Sequence, residues 1–153
     1  MKRATRKRSP TTVDVVVLDP AWRRAVPNVE RLVRKAARAS VGRRRSALTV
    51  ALGDDKAVRK LNAAHRGRDR PTNVLSYPSD ERGFLGDIVL ARQTVQREAR
   101  AQRKRLADHV SHLVVHGTLH LLGYDHETGE ADAERMEALE RRILGKLGVA
   151  DPY

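Results

Sequence analysis

Apolar residues recur along the chain with two different periods, and each period predicts one kind of element. The segment TTVDVVVLD is rich in β-branched residues and ends at Asp19-Pro20, which predicts a first strand. After Asn28, a predicted N-cap, apolar residues follow at helical spacing as far as Gly42. The segment SALTVALG returns to a period of two, so a second strand is expected to end at Gly53.

The remainder of the chain continues this alternation. Asp54 is expected to cap a short helix through Asn62, and the polar stretch HRGRDRPTN that begins at His65 predicts an exposed loop. Short strands are predicted over 74–77 and 87–90, and helices over 94–105, 108–122 and 130–147. This order predicts a single α/β or α+β domain, with about four strands in a mixed, partly parallel sheet packed by helices.

Length and composition narrow the function further. The 153 residues suit one domain. Because there is no cysteine, any bound metal must use nitrogen or oxygen ligands. Lys and Arg outnumber Asp and Glu by 31 to 19, and this net charge of +12 favours a polyanionic partner. No apolar run approaches the roughly 20 residues that span a bilayer, so no membrane association is expected.

The beginning of the chain is basic and lacks a hydrophobic core segment. Its first ten residues, MKRATRKRSP, contain five Lys or Arg and no acid. We predict a basic disordered arm over residues 1–11 and a compact domain over residues 12–150. A secretory signal is excluded by the missing apolar region, whereas a short organellar targeting peptide remains the alternative.

The segment HGTLHLLGYDH carries the most specific chemical signal. His116 and His120 are four residues apart, so a helix places both imidazoles on one face. Gly123 can end that helix in a left-handed conformation, and the turn after it can return His126 as a third ligand. By chance this four-position pattern would occur on the order of once in a thousand such chains.

Three imidazoles suit one zinc ion and leave a fourth position open for water or substrate. The alternative is that these histidines serve packing or solubility on an amphipathic helix. Neither His109 nor His112 is assigned to the metal: His109 is expected to be structural, and His112 either supports a ligand or is solvated. Asp125 is a weak candidate for orienting an imidazole or activating water.

The spacing resembles that of metzincin peptidases, with one decisive difference. Those enzymes place a glutamate after the first histidine as general base, whereas this chain has Gly117. A peptidase mechanism therefore loses its base, although metal-bound water can still supply hydroxide. Met136 invites comparison with the metzincin methionine but is expected to belong to the ordinary core.

Three motifs together resemble the YbeY family of bacterial endoribonucleases, also called rRNA maturation factors. They are LNAAHRGRDRPTNVLSYP, LGDIVL and HGTLHLLGYDH, which appear in the family's order between Val13 and Leu147. The resemblance implies a compact α/β fold with one zinc ion per chain bound by His116, His120 and His126. It also implies a cytoplasmic, single-strand-specific endoribonuclease that acts in ribosomal RNA processing, including 3′-end maturation of the small-subunit RNA, and in ribosome quality control.

The same resemblance implies that Arg66 is a catalytic or phosphate-binding residue, because it matches the arginine of the family's loop motif. Three neighbours depart from the commonest form of that motif: His65 replaces Tyr, Asn73 replaces Asp and Tyr77 replaces Phe. His65 either alters metal or RNA contacts or simply faces solvent.

Basic residues of the loop 66–70 and of the predicted helix 94–105 are expected to hold the RNA backbone electrostatically, unless the helix only presents a solvated charged face. With five aromatic residues in total, base stacking contributes little. Ribosomal RNA and ribosome-associated proteins are the expected partners. Two rival functions remain: a ribosome-associated RNA-binding factor whose zinc is mainly structural, and a zinc peptidase.

Overall fold

The computed structural model describes residues 11–66, 72–125 and 129–153, and for His65 and Arg66 the backbone alone. The predicted arm thus lies outside the described residues, except for Thr11. Thr11 is buried, and its hydroxyl donates a hydrogen bond to the carbonyl of Arg44 at 2.9 Å. No helix in the described ranges is both long and apolar enough to cross a bilayer.

Four strands in the described part of the chain form one mixed sheet in the order β1-β2-β4-β3. They are β1 (Thr12–Val17), β2 (Ala47–Gly53), β3 (Val74–Pro78) and β4 (Phe84–Ala91). The β1–β2 and β2–β4 pairs are parallel, whereas β3 runs antiparallel to β4. The single α/β domain and its partly parallel four-stranded sheet confirm the fold predicted from the hydrophobic periodicity.

Six helices accompany the sheet within the described ranges: α1 (Ala21–Ala25), α2 (Val29–Val41), α3 (Asp55–Arg66), α4 (Arg92–Ala101), α5 (Leu106–Leu121) and α6 (Glu130–Lys146). Helix α5 is central, because it packs against α2, α4 and α6 as well as against β3 and β4. Ten of its residues are buried. A helix enclosed in this way holds its side chains in fixed positions.

Several elements differ from the sequence prediction, most of them by one or two residues at an end. Helix α1 was not predicted at all. Helix α3 continues four residues beyond Asn62 to Arg66, because Ala63 and Ala64 are strong helix formers. Strand β4 begins at Phe84 rather than at residue 87, because Phe84 and Gly86 already pair with β2.

Helix α4 ends at Ala101 rather than at residue 105. Arg103 has a left-handed φ of 53°, and the amide of Lys104 donates to the carbonyl of Ala99 at 2.8 Å, which closes the helix end. Three of the basic residues predicted to lie on this helix, residues 103–105, therefore belong to the turn that precedes α5. The prediction that one helix carries all of these basic residues is therefore wrong for residues 103–105.

Two predicted helix caps have different outcomes. The carboxylate of Asp54 accepts a hydrogen bond from the amide of Ala57 at 2.8 Å, as a capping residue should. Asn28 occupies the cap position of α2, but with φ of 60° and no side-chain bond to the helix. Asn28 thus provides the left-handed turn into the helix rather than a hydrogen-bonded cap.

The glycine of the LGDIVL motif has a packing role. Gly86 has φ of 139°, and a Cβ atom there would lie 2.1 Å from the carbonyl oxygen of Tyr77. Only glycine allows β3 to approach β4 this closely, and Gly86 also lies at the bulge where the register between β2 and β4 shifts. The adjacent Cδ2 of Leu121, at 3.0 Å from the same point, connects this bulge to the end of α5.

Candidate metal centre

Helix α5 places His116 and His120 on the same face, as their spacing predicts. Their rings are 4.7 Å apart between centroids and inclined by 78°, and the two Nε2 atoms approach to 3.2 Å. Two nitrogens that each lie about 2.05 Å from a tetrahedral zinc ion are separated by about 3.3 Å. The pair of imidazoles is therefore spaced to chelate one ion.

Glu140 of α6 supports His116 from behind. Its side chain is fully buried, and its Oε1 lies 2.5 Å from Nδ1 of His116. Because an ionised carboxylate only accepts hydrogen bonds, Nδ1 of His116 carries the hydrogen and Nε2 keeps the lone pair that binds a metal. A carboxylate behind a ligating histidine is the usual arrangement in zinc sites.

Two further side chains surround Glu140. The hydroxyl of Tyr153 donates to its Oε2, and Nε2 of His112 lies 3.7 Å from its Oε1. Burial acts to raise the pKa of Glu140, but the contacts with His112, His116 and Tyr153 outweigh burial and lower the pKa to about 2. Glu140 is thus a buried anion at neutral pH.

Sequence reasoning did not identify Glu140, although α6 contains a signal for it. The buried positions of this helix are 136, 140, 143 and 144, which is the spacing of one apolar face, and Glu140 is the charged residue on that face. A carboxylate at a core position requires a partner, since unpaired buried charge is strongly unfavourable. Met136, also on this face, is 1% exposed and belongs to the core as predicted.

The turn after α5 has the predicted geometry. Helix α5 ends at Leu121, and Gly123 has φ of 100°. The amide of Gly123 donates to the carbonyl of His120, and the amide of Tyr124 donates to the carbonyl of Leu119, both at 3.0 Å. These two bonds form a Schellman motif, which turns the chain back across the helix end.

The third predicted ligand, His126, lies outside the described residues. Among residues 11–66, 72–125 and 129–153, no group of three His, Asp or Glu side chains is arranged to hold a metal ion. The structure accordingly brings two of the three predicted ligands together. The donor set of paired imidazoles with a supporting carboxylate fits a zinc ion.

His109, at the other end of α5, has a different environment. Its side chain is buried, and its Nε2 lies 2.9 Å from Oε1 of Glu98. Asn73 also donates to Glu98, at 3.0 Å. The three residues connect α5, α4 and the start of β3, in keeping with the structural role expected for His109.

Gly117 lies where α5 is closest to the sheet. A Cβ atom at this position would be 3.1 Å from both Cγ2 of Ile88 and Oγ of Ser76. A larger side chain would require Ile88 or Ser76 to shift by a few tenths of an ångström, so the sheet crowds the position where a metzincin peptidase has its general base. The sequence difference at Gly117 thus has a packing cause as well as a chemical consequence.

A cavity of about 430 Å³ opens beside the turn after α5. Its walls include Gly123 and Tyr124 together with two arginines, Arg44 and Arg135, and two aspartates, Asp125 and Asp132. The cavity adjoins the end of α5 and is lined by both cationic and anionic side chains. Asp125, which the sequence left as a weak candidate, lies in this wall.

The other candidate residues are placed as follows. His65 and Arg66, which were predicted to lie in a loop, form the end of α3, and their side chains lie outside the described part of the structure. Arg97 of α4 is exposed and pairs with Asp55 at 3.2 Å. Asn73 bonds to Glu98, which gives this departure from the family motif a structural contact.

The chain matches the family model described as Endoribonuclease YbeY over residues 18–148. The Endoribonuclease YbeY of Parvibaculum lavamentivorans is 45% identical over an alignment of 170 positions, gaps included, which covers 99% of this chain and 91% of that protein. The proteins of that name from Azorhizobium caulinodans and Rhodopseudomonas palustris are 45% and 54% identical, over 92% and 69% of this chain and 95% and 60% of those proteins.

A solved structure shares the fold. The solution structure of TM1509 from Thermotoga maritima superposes with a TM-score of 0.58 at 24% sequence identity, covering 92% of this chain and 98% of that one. At this identity the likeness concerns the fold alone. The family match over 131 consecutive positions and the close relatives together place the sequence: the chain belongs to the YbeY endoribonuclease family.

Proposed function

We propose that this protein is a zinc-dependent endoribonuclease that cleaves single-stranded RNA at a centre formed by His116, His120 and His126, with one ion per chain. The observation that carries the proposal is the 3.2 Å approach of the His116 and His120 Nε2 atoms, with Glu140 behind His116. Relatives that share about half of its residues are named endoribonucleases. The chain's charge of +12 suits an RNA substrate.

The biological context follows the family resemblance. We place the protein in the cytoplasm, where it acts in ribosomal RNA processing, including maturation of the small-subunit 3′ end, and in ribosome quality control. Ribosomal RNA and ribosome-associated proteins are its partners in this proposal. Residues 12–150 carry the activity, and the basic residues of the arm, 1–11, add electrostatic attraction to RNA.

The chain's own residues divide the work at the site. A bound zinc ion supplies Lewis-acid polarisation of the phosphate or a more acidic water. Glu140 keeps the hydrogen on Nδ1 of His116, so Nε2 remains a ligand atom. Arg66 stabilises negative charge that develops on the phosphate oxygens, since a guanidinium forms charge-assisted hydrogen bonds with phosphate.

The peptidase alternative is disfavoured because Gly117 stands where a metzincin peptidase has its glutamate base, at a position that Ile88 and Ser76 crowd. The second alternative, an RNA-binding factor with a mainly structural zinc, predicts a different experimental pattern. A structural zinc is required for folding, whereas a catalytic zinc is required for cleavage in a protein that folds without it.

Cleavage of a defined single-stranded RNA by metal-analysed protein tests the proposal. We expect wild type to contain one zinc ion and to cleave, and His120→Ala to lose both properties while still unfolding cooperatively. His109→Gln is the matched control, because it removes a histidine of the same helix outside the centre, and it should retain zinc and cleavage. Full cleavage by zinc-free His120→Ala would refute the metal-dependent mechanism. Zinc-loaded wild type that binds RNA without cutting it would favour the binding-factor alternative.

Arg66→Ala separates catalysis from metal binding. Because the guanidinium is proposed to act on the phosphate and not on the metal, we expect the variant to retain zinc and to cleave at least about tenfold more slowly. Single-turnover rates measured with wild type and Arg66→Ala at equal zinc content provide the comparison. Equal rates would remove Arg66 from the site.

A further inference from the structure

We infer that Tyr153 and Glu140 are positioning residues for the metal ligand His116: the Tyr153 hydroxyl fixes the Glu140 carboxylate, which in turn fixes the tautomer and orientation of the imidazole. The inference rests on the proposed metal centre and adds Tyr153 to it, a residue 33 positions after His120, the last histidine of α5. Nothing in the HGTLHLLGYDH motif points to this residue. The chain of contacts runs from the segment after α6 into α6 and then to α5.

The burial of Glu140 is the first step of the argument. Its side chain has no exposed surface, and it shares its helix face with Met136, Ile143 and Leu144. A carboxylate removed from water loses several kcal/mol of solvation unless hydrogen bonds replace the water. Leucine has a similar volume and would not have this cost. A glutamate at this position is therefore expected to have a function beyond packing.

The two carboxylate oxygens have different partners. Oε1 lies toward the histidines, 2.5 Å from Nδ1 of His116 and 3.7 Å from Nε2 of His112. Oε2 accepts the hydroxyl of Tyr153. Since the tyrosine donates to one oxygen, the carboxylate cannot rotate without breaking this bond, and the other oxygen stays directed at His116.

The consequence for His116 is a single tautomer. A neutral histidine without such an acceptor exchanges between a form with hydrogen on Nδ1 and a form with hydrogen on Nε2, and the second form cannot bind a metal through Nε2. Glu140 holds the hydrogen on Nδ1, so the Nε2 lone pair faces Nε2 of His120. The imidazole is thereby preorganised for a metal before one arrives.

Tyr153 is itself held by contacts independent of Glu140. Its ring packs edge-on against His112 at 5.6 Å between centroids, and the Arg141 guanidinium lies 5.3 Å from its centroid. Its backbone amide donates to Asp151 at 2.9 Å, and Arg141 pairs with the same carboxylate at 3.1 Å. Lys104 also donates to the carbonyl of Pro152 at 3.2 Å. Half of the tyrosine surface is exposed, yet the hydroxyl reaches the buried carboxylate.

The test uses full-length protein freed of metal, in which His116 is observed before zinc is added. Ring-nitrogen NMR of wild type above pH 7.5 should show hydrogen on Nδ1 of His116 alone. In Glu140→Gln the amide both donates and accepts, so a mixture of tautomers is expected. Zinc affinity from chelator competition should fall about 10- to 100-fold in Glu140→Gln. The fall in Tyr153→Phe, which removes only the hydroxyl, should be up to about tenfold.

Glu98→Gln is the matched control, because it makes the same chemical change at the other glutamate that bonds to a histidine of α5. It should change neither the His116 tautomer nor zinc affinity. A cooperative thermal unfolding transition shows that each metal-free variant is folded. If Glu140→Gln does not fold, the test relies on Tyr153→Phe, which keeps the aromatic ring and its contacts and removes only the hydroxyl.

The outcomes separate this inference from the proposed function. Hydrogen on Nε2 of wild-type His116, or an unchanged tautomer and zinc affinity in Glu140→Gln, would overturn the role of Glu140. Wild-type zinc affinity in Tyr153→Phe would overturn the role of Tyr153. Wild type that shows the single tautomer but binds no zinc would instead overturn the proposed metal centre.

Discussion

Two histidines of α5 each pair with a glutamate of a neighbouring helix, His109 with Glu98 of α4 and His116 with Glu140 of α6, and the two pairs differ in which partner is buried. In the pair near the beginning of α5, the His109 side chain is 4% exposed and its partner Glu98 is 32% exposed. In the pair near its end, His116 is 21% exposed and Glu140 is fully buried. The first pair thus encloses the imidazole, whereas the second encloses the carboxylate and leaves the imidazole partly exposed.

This difference determines what each histidine can do. His109 directs Nε2 to Glu98, and its Nδ1 is buried with no hydrogen-bond partner in the described part of the chain. No nitrogen of that ring is available to an ion from solvent. His116 directs Nδ1 to Glu140, and its Nε2 lies 3.2 Å from Nε2 of His120. Two histidines seven residues apart on one helix are therefore suited to different roles, His109 to a packing contact and His116 to the proposed metal ligation.

Substitution at Gly117 should have the largest effect, because it breaks the packing that holds the second pair in place. Gly117→Glu would press against Ile88 and Ser76 and bury a charge, so we expect it to lower the free energy of unfolding by at least about 3 kcal/mol. Urea unfolding measures this loss. A variant as stable as wild type would show that α5 can move away from the sheet, and the peptidase alternative would then have to be reconsidered.

Removing His109 should affect stability but leave the metal unaffected. His109→Ala deletes a buried ring and the bond to Glu98, which should cost about 2 kcal/mol of unfolding free energy. Zinc affinity should stay within about twofold of wild type, since His109 faces away from the centre. Chelator competition on the folded variant measures the affinity. A large loss of zinc affinity would abolish the distinction between the two pairs.

The pair of His109 and Glu98 should also make stability depend on pH, an effect smaller than that of the two substitutions above. Burial lowers the pKa of His109 below its ordinary value of 6.5, against the opposing influence of Glu98, and His112 and Lys104 lower it further. The unfolded chain therefore takes up a proton near pH 6.5 that the folded chain does not, and acidification below that pH destabilises the protein. Wild type should lose more unfolding free energy between pH 7.5 and 5.5 than His109→Gln does. Equal losses would mean that the pKa of His109 is the same in the folded and the unfolded protein.

Much of this arrangement could be predicted from the sequence because it depends on local periodicity. Alternating valines predicted β1, and the spacing of His116, His120 and Gly123 predicted a helix with two ligands on one face and a turn after it. These features are determined by residues within two helical turns of one another. Hydrophobic spacing also identified the sheet strands, with errors confined to their ends.

The support for the site could not be predicted in the same way, because it depends on tertiary contacts. Glu140 lies 24 residues from His116, and Tyr153 a further 13 from Glu140. Only the packing of α6 on α5 brings them together. Helix α1 was missed since five residues with a proline at the cap give almost no periodic signal. The end of α4 at Ala101 likewise depends on the left-handed turn at Arg103. Arginine seldom adopts this conformation, so nothing in the sequence indicated the turn.

The most direct test of the account is a crystal structure of the protein loaded with zinc. We predict one ion at about 2.0 to 2.1 Å from Nε2 of both His116 and His120, a ring nitrogen of His126 as third ligand, and Glu140 bonded to Nδ1 of His116. An ion bound elsewhere, or imidazoles of residues 116 and 120 directed away from each other at full zinc occupancy, would contradict it.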